Sequence, residues 1–380
     1  MATIPIADLV PNIVDVCGAL DFDERGSGLA PRRLPAWTRL QLPAVMDAMV
    51  RMPSGVRLRF ATDSRRVGVH FLATNMVNPP RPRRPVVFNC EAAGRLQKAA
   101  STQGNAIVFK PDVPGGFELV RGEADTVVFD GAAGASVCEI WLPHNAFVEL
   151  RAIEFDDGAT VSAPPAEARP RWIHYGSSIS HCMEAEEPAK TWPAVAARRA
   201  GVALQNLGFG GQCHLDQFVA RTIRDAEADI VSIKTGINVV NMDSMRERVF
   251  VPAFHGFLDT IREAKPDVPI VAISPIYCPS AETRPGPTVP NEEGKFVTID
   301  GFGPHRVGCL SLTRIREILE SAVDARRAAG DANLHYVDGL DLFGEADADD
   351  LPDDLHPNPA GYERMGGRFA PTLSRILADR

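Results

Sequence analysis

The chain has 380 residues, of which 45% are apolar and 23% charged, with a formal net charge of −9. Such ordinary contents describe a globular protein and exclude a disordered one, while the acidic balance argues against a nucleic-acid partner, which would need a basic footprint. No uncharged apolar run reaches the ~18 residues of a membrane helix, so no membrane partner is expected. The length exceeds the ~250–300 residues at which one hydrophobic core usually divides, so two domains are expected.

The opening stretch MATIPIADLVPNIVDVCGALDFDERG lacks a basic segment and carries Asp8, so it does not read as a signal peptide. Seven scattered cysteines, with no CxxC pair, suggest reduced and mostly buried thiols in a cytoplasmic protein. Cys, His and acid do not cluster at ligand spacing, so no metal is expected, and no cofactor either.

From about residue 36 to 160 the apolar period is two. In GVRLRFATDSRRVGVHFLA, Val56, Leu58 and Phe60 alternate with Arg57 and Arg59, then TDSR turns and Val67, Val69 and Phe71 alternate again. This predicts a half-buried antiparallel hairpin. PVVFNCEAAG, DTVVFDG, SVCEIWLP and FVELRAIEF continue the pattern, each ended by Gly, Pro or Asp. The expectation for residues 1–160 is an antiparallel β-sandwich of the jelly-roll kind. VSAPPAEARPR, 161–171, is rich in Pro and Ala and reads as a linker.

Beyond it, over 172–380, short apolar strands alternate with amphipathic segments. The strands are WIHYG, ALQNLG, DIVSIKTG, PIVAISPI and LHYVDG. SLTRIREILESAVDARRAAG places Leu312, Ile315, Ile318, Leu319, Ala322 and Val323 on one helical face, with Gly330 set to end it. Alternating β and α segments predict a parallel sheet covered by helices on both faces, which binds its ligand beyond the carboxyl ends of the strands.

Those ends carry a consistent chemistry. The first strand runs into GSSIS, the second into NLGFGGQ and the third into TGIN, and DDLHPNPAG precedes the last helix. Together they offer a hydroxyl, exposed backbone N–H groups, an amide, and an acid with a histidine. A serine needs a base to take its proton, histidine titrates near neutrality, and an acid fixes the histidine's tautomer. Backbone and amide donors then hold the oxyanion at ~3 kcal/mol each.

In order and in kind these four blocks resemble those of the SGNH, or GDSL-type, hydrolase superfamily. The resemblance covers 171–380 and implies a flavodoxin-like three-layer fold. GSSIS resembles G-D-S-[LI]-[ST], which makes Ser178 the nucleophile, and NLGFGGQ resembles N-x-G-x-[SG]-G, which makes Gly211 a backbone oxyanion donor. TGIN resembles G-x-N-D and offers Asn238 as the side-chain donor, and the Ser178 N–H completes the oxyanion hole. DDLHPN resembles D-x-x-H-P, giving Asp353 and His356. Ser177 stands where the family has Asp, as does Val239, and both departures bear on the substrate. A β-sandwich ahead of such a domain is similar to carbohydrate esterase family 2, whose members remove acetyl groups from sugars.

The residues taken singly leave alternatives open. Ser178 read alone is a helix-capping serine; Ser177 and Ser180 are rival nucleophiles, and Asp354 rivals Asp353. Gly211 serves equally in a turn with positive φ, and Asn238 in a turn or cap. His181 and His214 either line the pocket or are satisfied neighbours. The long segment 278–306 is expected to shape the substrate site. The resulting expectation is a serine esterase acting on short acyl esters, acetyl above all, of a carbohydrate or small-molecule alcohol. A lysophospholipase or thioesterase, or a non-catalytic carbohydrate-binding protein, are the alternatives.

Overall fold

The computed structural model describes every residue except 81, 111, 112, 114, 132, 133, 300–306 and 380. The chain separates into two compact units: Met1–Ala168 with Glu187–Ala189, and Arg169–Glu186 with Lys190–Arg380.

The first unit is a sandwich of two sheets. The eight-stranded sheet runs Phe117–Val120, Asn105–Phe109, Arg66–Val77, Ala146–Phe155, Gly28–Arg32, Asp21–Arg25, with Ala2–Pro5 and Asp125–Asp130 as side pairings. The six-stranded sheet runs Val161–Ser162, Arg57–Thr62, Ser136–Trp141, Val86–Ala92, Arg95–Ser101, with Asp15–Cys17 on Arg57–Thr62. Pairing is antiparallel except where Arg66–Val77 meets Asn105–Phe109. Val56, Leu58 and Phe60 from one sheet and Val67, Val69 and Phe71 from the other are buried in a common core, each large side chain stabilising by roughly 1.5–3 kcal/mol.

Two expectations need correction here. The two runs flanking TDSR do not form a hairpin: Arg57–Thr62 and Arg66–Val77 lie in different sheets. The turn carries the chain across the core, because alternation fixes which face is buried and not which strand lies alongside. The polar positions of the first run are also inside. Arg57 and Arg59 are 2% and 8% exposed; Arg57 pairs with Glu139 and lies 4.8 Å over the Trp141 ring, while Arg59 donates to the Pro165 carbonyl at 2.7 Å. The stretch read as a linker is structured at both ends. Val161–Ser162 pair with Ala61 and Thr62, and Arg171 begins the next strand.

The second unit contains, in chain order, β1 (Arg171–Gly176), α1 (Ser178–His181), α2 (Trp192–Ala200), β2 (Ala203–Gly208), α3 (Gln217–Asp225), β3 (Ile230–Lys234), α4 (Ile237–Asn241), α5 (Glu247–Arg262) and β4 (Ile270–Ile273). A small hairpin follows, β5 (Thr288–Pro290) and β6 (Phe296–Thr298), then α6 (Leu312–Ala328), β7 (Leu334–Val337), α7 (Gly339–Leu342) and α8 (Pro359–Ala378). The sheet is parallel throughout, in the order β2-β1-β3-β4-β7. All five sequence-predicted strands lie in it. Helices cover both faces: Trp172 packs against Trp192 of α2 and Phe369 of α8, and Tyr175 stacks on Phe257 of α5. The six apolar residues predicted for one face of α6 are all buried, and the Ser311 hydroxyl caps the helix by accepting from the Arg314 N–H. Strand order reverses between β1 and β3, the switch point where such sheets open a crevice. None of the described helices is long and apolar enough to cross a membrane.

Candidate active site

The three serines after β1 have three different surroundings. Ser177 is the N-cap of α1, its hydroxyl accepting from the Ile179 N–H at 3.3 Å. Ser180 points inward, its Oγ 2.7 Å from His174 Nε2, and both residues are fully buried. Ser178 alone reaches the histidine of the C-terminal loop: its hydroxyl donates to His356 Nε2 at 2.9 Å. His356 Nδ1 donates in turn to Asp353 Oδ2 at 2.8 Å. A carboxylate can only accept, so this bond sets the tautomer and leaves Nε2 as the acceptor.

Asp353 is 7% exposed, and its Oδ1 accepts from the backbone N–H groups of Leu355 and His356 at 3.1 and 2.7 Å. Burial raises its pKa, but the His356 hydrogen bond and charge and the two backbone donors outweigh this, and the net shift is downward. Asp353 is therefore a carboxylate at neutral pH. Its rival Asp354 pairs instead with Lys295 at 3.3 Å. The loop is held from behind by helix α8, where Asn358 caps the first turn by accepting from the Gly361 N–H and Pro359 supplies the fixed φ.

Of the sequence-predicted donors, Gly211 sits in a turn with φ +69° that opens away from other atoms. Two side chains hold its carbonyl, Gln212 Nε2 donating at 2.9 Å and His214 Nε2 at 3.2 Å. The Gly210 N–H next to it donates to His181 Nδ1 at 3.4 Å. Both histidines left open by the sequence thus brace the glycine turn. Asn238, 4% exposed at the start of α4, accepts the Cys213 N–H at Oδ1, 3.0 Å away. That bond fixes the sense of its amide, and among the described residues no acceptor is bonded to Nδ2. The amide is therefore free to donate outward.

Sequence reasoning missed the layer beneath. His174 Nδ1 lies 2.7 Å from Ser232 Oγ, which accepts from Trp172 Nε1 at 2.8 Å. Burial, with Lys234 nearby, holds the His174 pKa well below its ordinary value. Its ring is neutral, one nitrogen donating and the other accepting. Asn206 Nδ2 donates to the Ser180 carbonyl at 3.0 Å while its Oδ1 accepts from the Gly208 N–H. A Cβ on Gly208 would lie 2.5 Å from the Ser180 carbonyl carbon, and one on Gly176 2.3 Å from Ser180 Oγ. The motif glycines therefore let the turn that bears Ser178 lie directly on the strands. A buried histidine at an inward strand position was the available signal.

Searched against curated proteins, the sequence finds no match. The chain is similar in structure to a salicylyl-acyltransferase, SsfX3, from a tetracycline biosynthetic pathway, with 28% identity, a TM-score of 0.79, and 100% of this chain and 97% of that one covered. Residues 14–151 match the family described as the N-terminal domain of SsfX3. Likeness of fold extends to a GDSL-like lipase from Bacteroides ovatus (18% identity, TM-score 0.69, 99% and 98% covered). It extends also to an active-site mutant of a family two carbohydrate esterase from Clostridium thermocellum (15%, 0.62, 97% and 99%). Residues 174–364, which span all four strand-end blocks, match the GDSL-like lipase/acylhydrolase family, and the chain belongs to that family.

Proposed function

We propose that the protein is a serine acyl-ester hydrolase in which Ser178, His356 and Asp353 form the catalytic triad, and the Ser178 N–H, Gly211 N–H and Asn238 amide form the oxyanion hole. The unbroken hydrogen-bond chain from Asp353 through His356 to Ser178 carries this reading. As Ser178 Oγ bonds to the acyl carbon, its proton passes to His356 Nε2, and Asp353 stabilises the imidazolium. The carbonyl oxygen becomes the oxyanion, and its collapse expels the alcohol, protonated by His356. Water then attacks the acyl-serine, giving its proton to His356, and the acid leaves as Ser178 recovers its hydrogen. The substrate proposed is a short-chain ester, acetyl above all, of a carbohydrate or small-molecule alcohol, in line with the fold shared with a carbohydrate esterase.

A second reading concerns only the last step. The likeness to a salicylyl-acyltransferase spans both units, so an alcohol acceptor in place of water is the competing outcome for the same acyl-enzyme. Hydrolysis of p-nitrophenyl acetate, butyrate and octanoate by the wild type and Ser178→Ala tests the first reading. Loss in the mutant with acetate preferred supports it, and full activity in the mutant overturns it. Product analysis with an added alcohol separates free acid from transferred ester.

A further inference from the structure

The segment 278–306, expected from sequence to shape the substrate site, contains the β5–β6 hairpin; its residues 300–306 lie outside those described. Thr288 pairs with Thr298, Val289 with Val297 and Pro290 with Phe296. Alternation therefore puts Pro290, Phe296 and Thr298 on one face and the two valines on the other. Thr298 is 6% exposed and Phe296 is half-buried, whereas Val289 and Val297 are 39% and 38% exposed, so this face turns inward at Phe296 and Thr298 while Pro290, beside the turn, is exposed.

That face is fastened to the loop that carries His356. The Phe296 N–H donates to the Asp353 carbonyl at 3.0 Å, and the Phe296 ring meets the His356 ring nearly at right angles with centroids 5.9 Å apart. Lys295 pairs with the Asp354 carboxylate, and the Cys278 thiol donates to the Asp354 carbonyl at 3.2 Å. Asp354 has φ +62°, a conformation costly for a residue with a side chain, and these two contacts hold it. The other end of the hairpin packs on α4, which carries Asn238. Gly286, just before β5, approaches so closely that a Cβ would lie 1.8 Å from the Val240 carbonyl oxygen.

We infer that Phe296 is a positioning residue for the His356 imidazole, and that the hairpin bearing it ties the base loop to the helix of the side-chain oxyanion donor. The inference rests on the triad proposed above. Hydrogen bonds to Asp353 and Ser178 hold the two nitrogens of the His356 ring, and the Phe296 ring packed beside it limits its swing about the Cα–Cβ and Cβ–Cγ bonds. A displacement of the ring lengthens the proton transfer that both half-reactions share, so it lowers turnover without weakening substrate binding.

The test compares Phe296→Ala, Phe296→Leu and Phe296→Tyr with the wild type on p-nitrophenyl acetate, alongside the downfield proton NMR resonance of His356 Nδ1–H. The alanine variant should lose kcat on the order of tenfold with KM changed less than about twofold. Its Nδ1–H resonance should broaden or vanish, leucine should fall between, and tyrosine should restore both. Unchanged kcat and resonance in the alanine and leucine variants overturn the inference, as does an equal loss in all three. If alanine fails to fold, the leucine–tyrosine comparison decides. Ser178→Ala run in parallel keeps the two readings apart. An inert Ser178→Ala beside a fully active Phe296→Ala sinks only the role of Phe296, whereas an active Ser178→Ala sinks the triad.

Discussion

Two serine–histidine pairs lie within one turn of α1, and they differ in almost everything except the hydrogen bond between them. Ser180 and His174 are 2.7 Å apart, Ser178 and His356 2.9 Å. The inner histidine meets a neutral hydroxyl, Ser232, at its other nitrogen; the outer one meets the carboxylate of Asp353. The inner pair is sealed from solvent, and its histidine is held neutral by burial and by Lys234. A serine beside a histidine is thus not a nucleophile by proximity. The third group and the open side of the site make the difference: in a desolvated site, an imidazolium is stabilised only where a carboxylate faces it.

Substitutions can break or sharpen this contrast. On the proposed mechanism, Ser178→Ala lowers kcat on the order of 10⁶-fold while Tm stays within a few degrees, checked by ester hydrolysis and calorimetry. Asp353→Asn lowers kcat on the order of 10⁴-fold by turning His356 into the wrong tautomer, which would make the outer pair resemble the inner one. That variant also flattens acid unfolding. With its folded pKa lowered, Asp353 contributes stability at neutral pH that is lost as pH falls through the folded value, and asparagine has none to lose. Asn238→Ala costs on the order of 10²- to 10³-fold in kcat if its amide holds the oxyanion.

Ser180→Ala should do the reverse of Ser178→Ala: activity within severalfold of wild type, but a loss of about 1–3 kcal/mol in denaturant unfolding, because His174 is left with an unpaired buried nitrogen. A large kinetic loss with unchanged stability would break the contrast between the pairs. The effect furthest from catalysis concerns Lys234, buried, its pKa pushed down from 10.5 to about 8 by burial. The unfolded chain binds the proton more tightly, so stability should rise as pH climbs from about 8 towards 10.5. Lys234→Met should raise Tm at neutral pH and abolish that rise.

Much of the second unit was legible because its rules are local. Five apolar strands separated by helical stretches specify a parallel sheet, and the blocks at their ends fall together once the sheet forms. The β-sandwich was legible in class but not in pairing. Alternation in GVRLRFATDSRRVGVHFLA marks an inward face, and both a hairpin and a crossing between sheets satisfy it. Arg57 and Arg59 read as a solvated face because nothing local announces Glu139, Trp141 or the Pro165 carbonyl, partners that arrive from 82 to 106 residues away in sequence. His174 stands at an inward position of an apolar strand, but its pairing with Ser180 was hidden for a similar reason, since burial of a polar pair depends on what covers it. The β5–β6 hairpin did have a signal: TVPNEEGKFVT shows two short apolar runs about an Asn- and Gly-containing turn. Its docking against His356 had none.

The placement of Asp353 and His356 on one short loop has a consequence for the protein's synthesis. Ser178 and His356 are separated by 178 residues, and at translation rates of about 5–20 residues per second His356, the proposed base, follows Ser178 by roughly 9–36 seconds. Gly211 and Asn238 join Ser178 within the first 60 residues of that interval, whereas Asp353 and His356 arrive only at its end. On the proposed triad the growing chain is chemically silent until residues 353–356 are made, and then gains acid and base almost together.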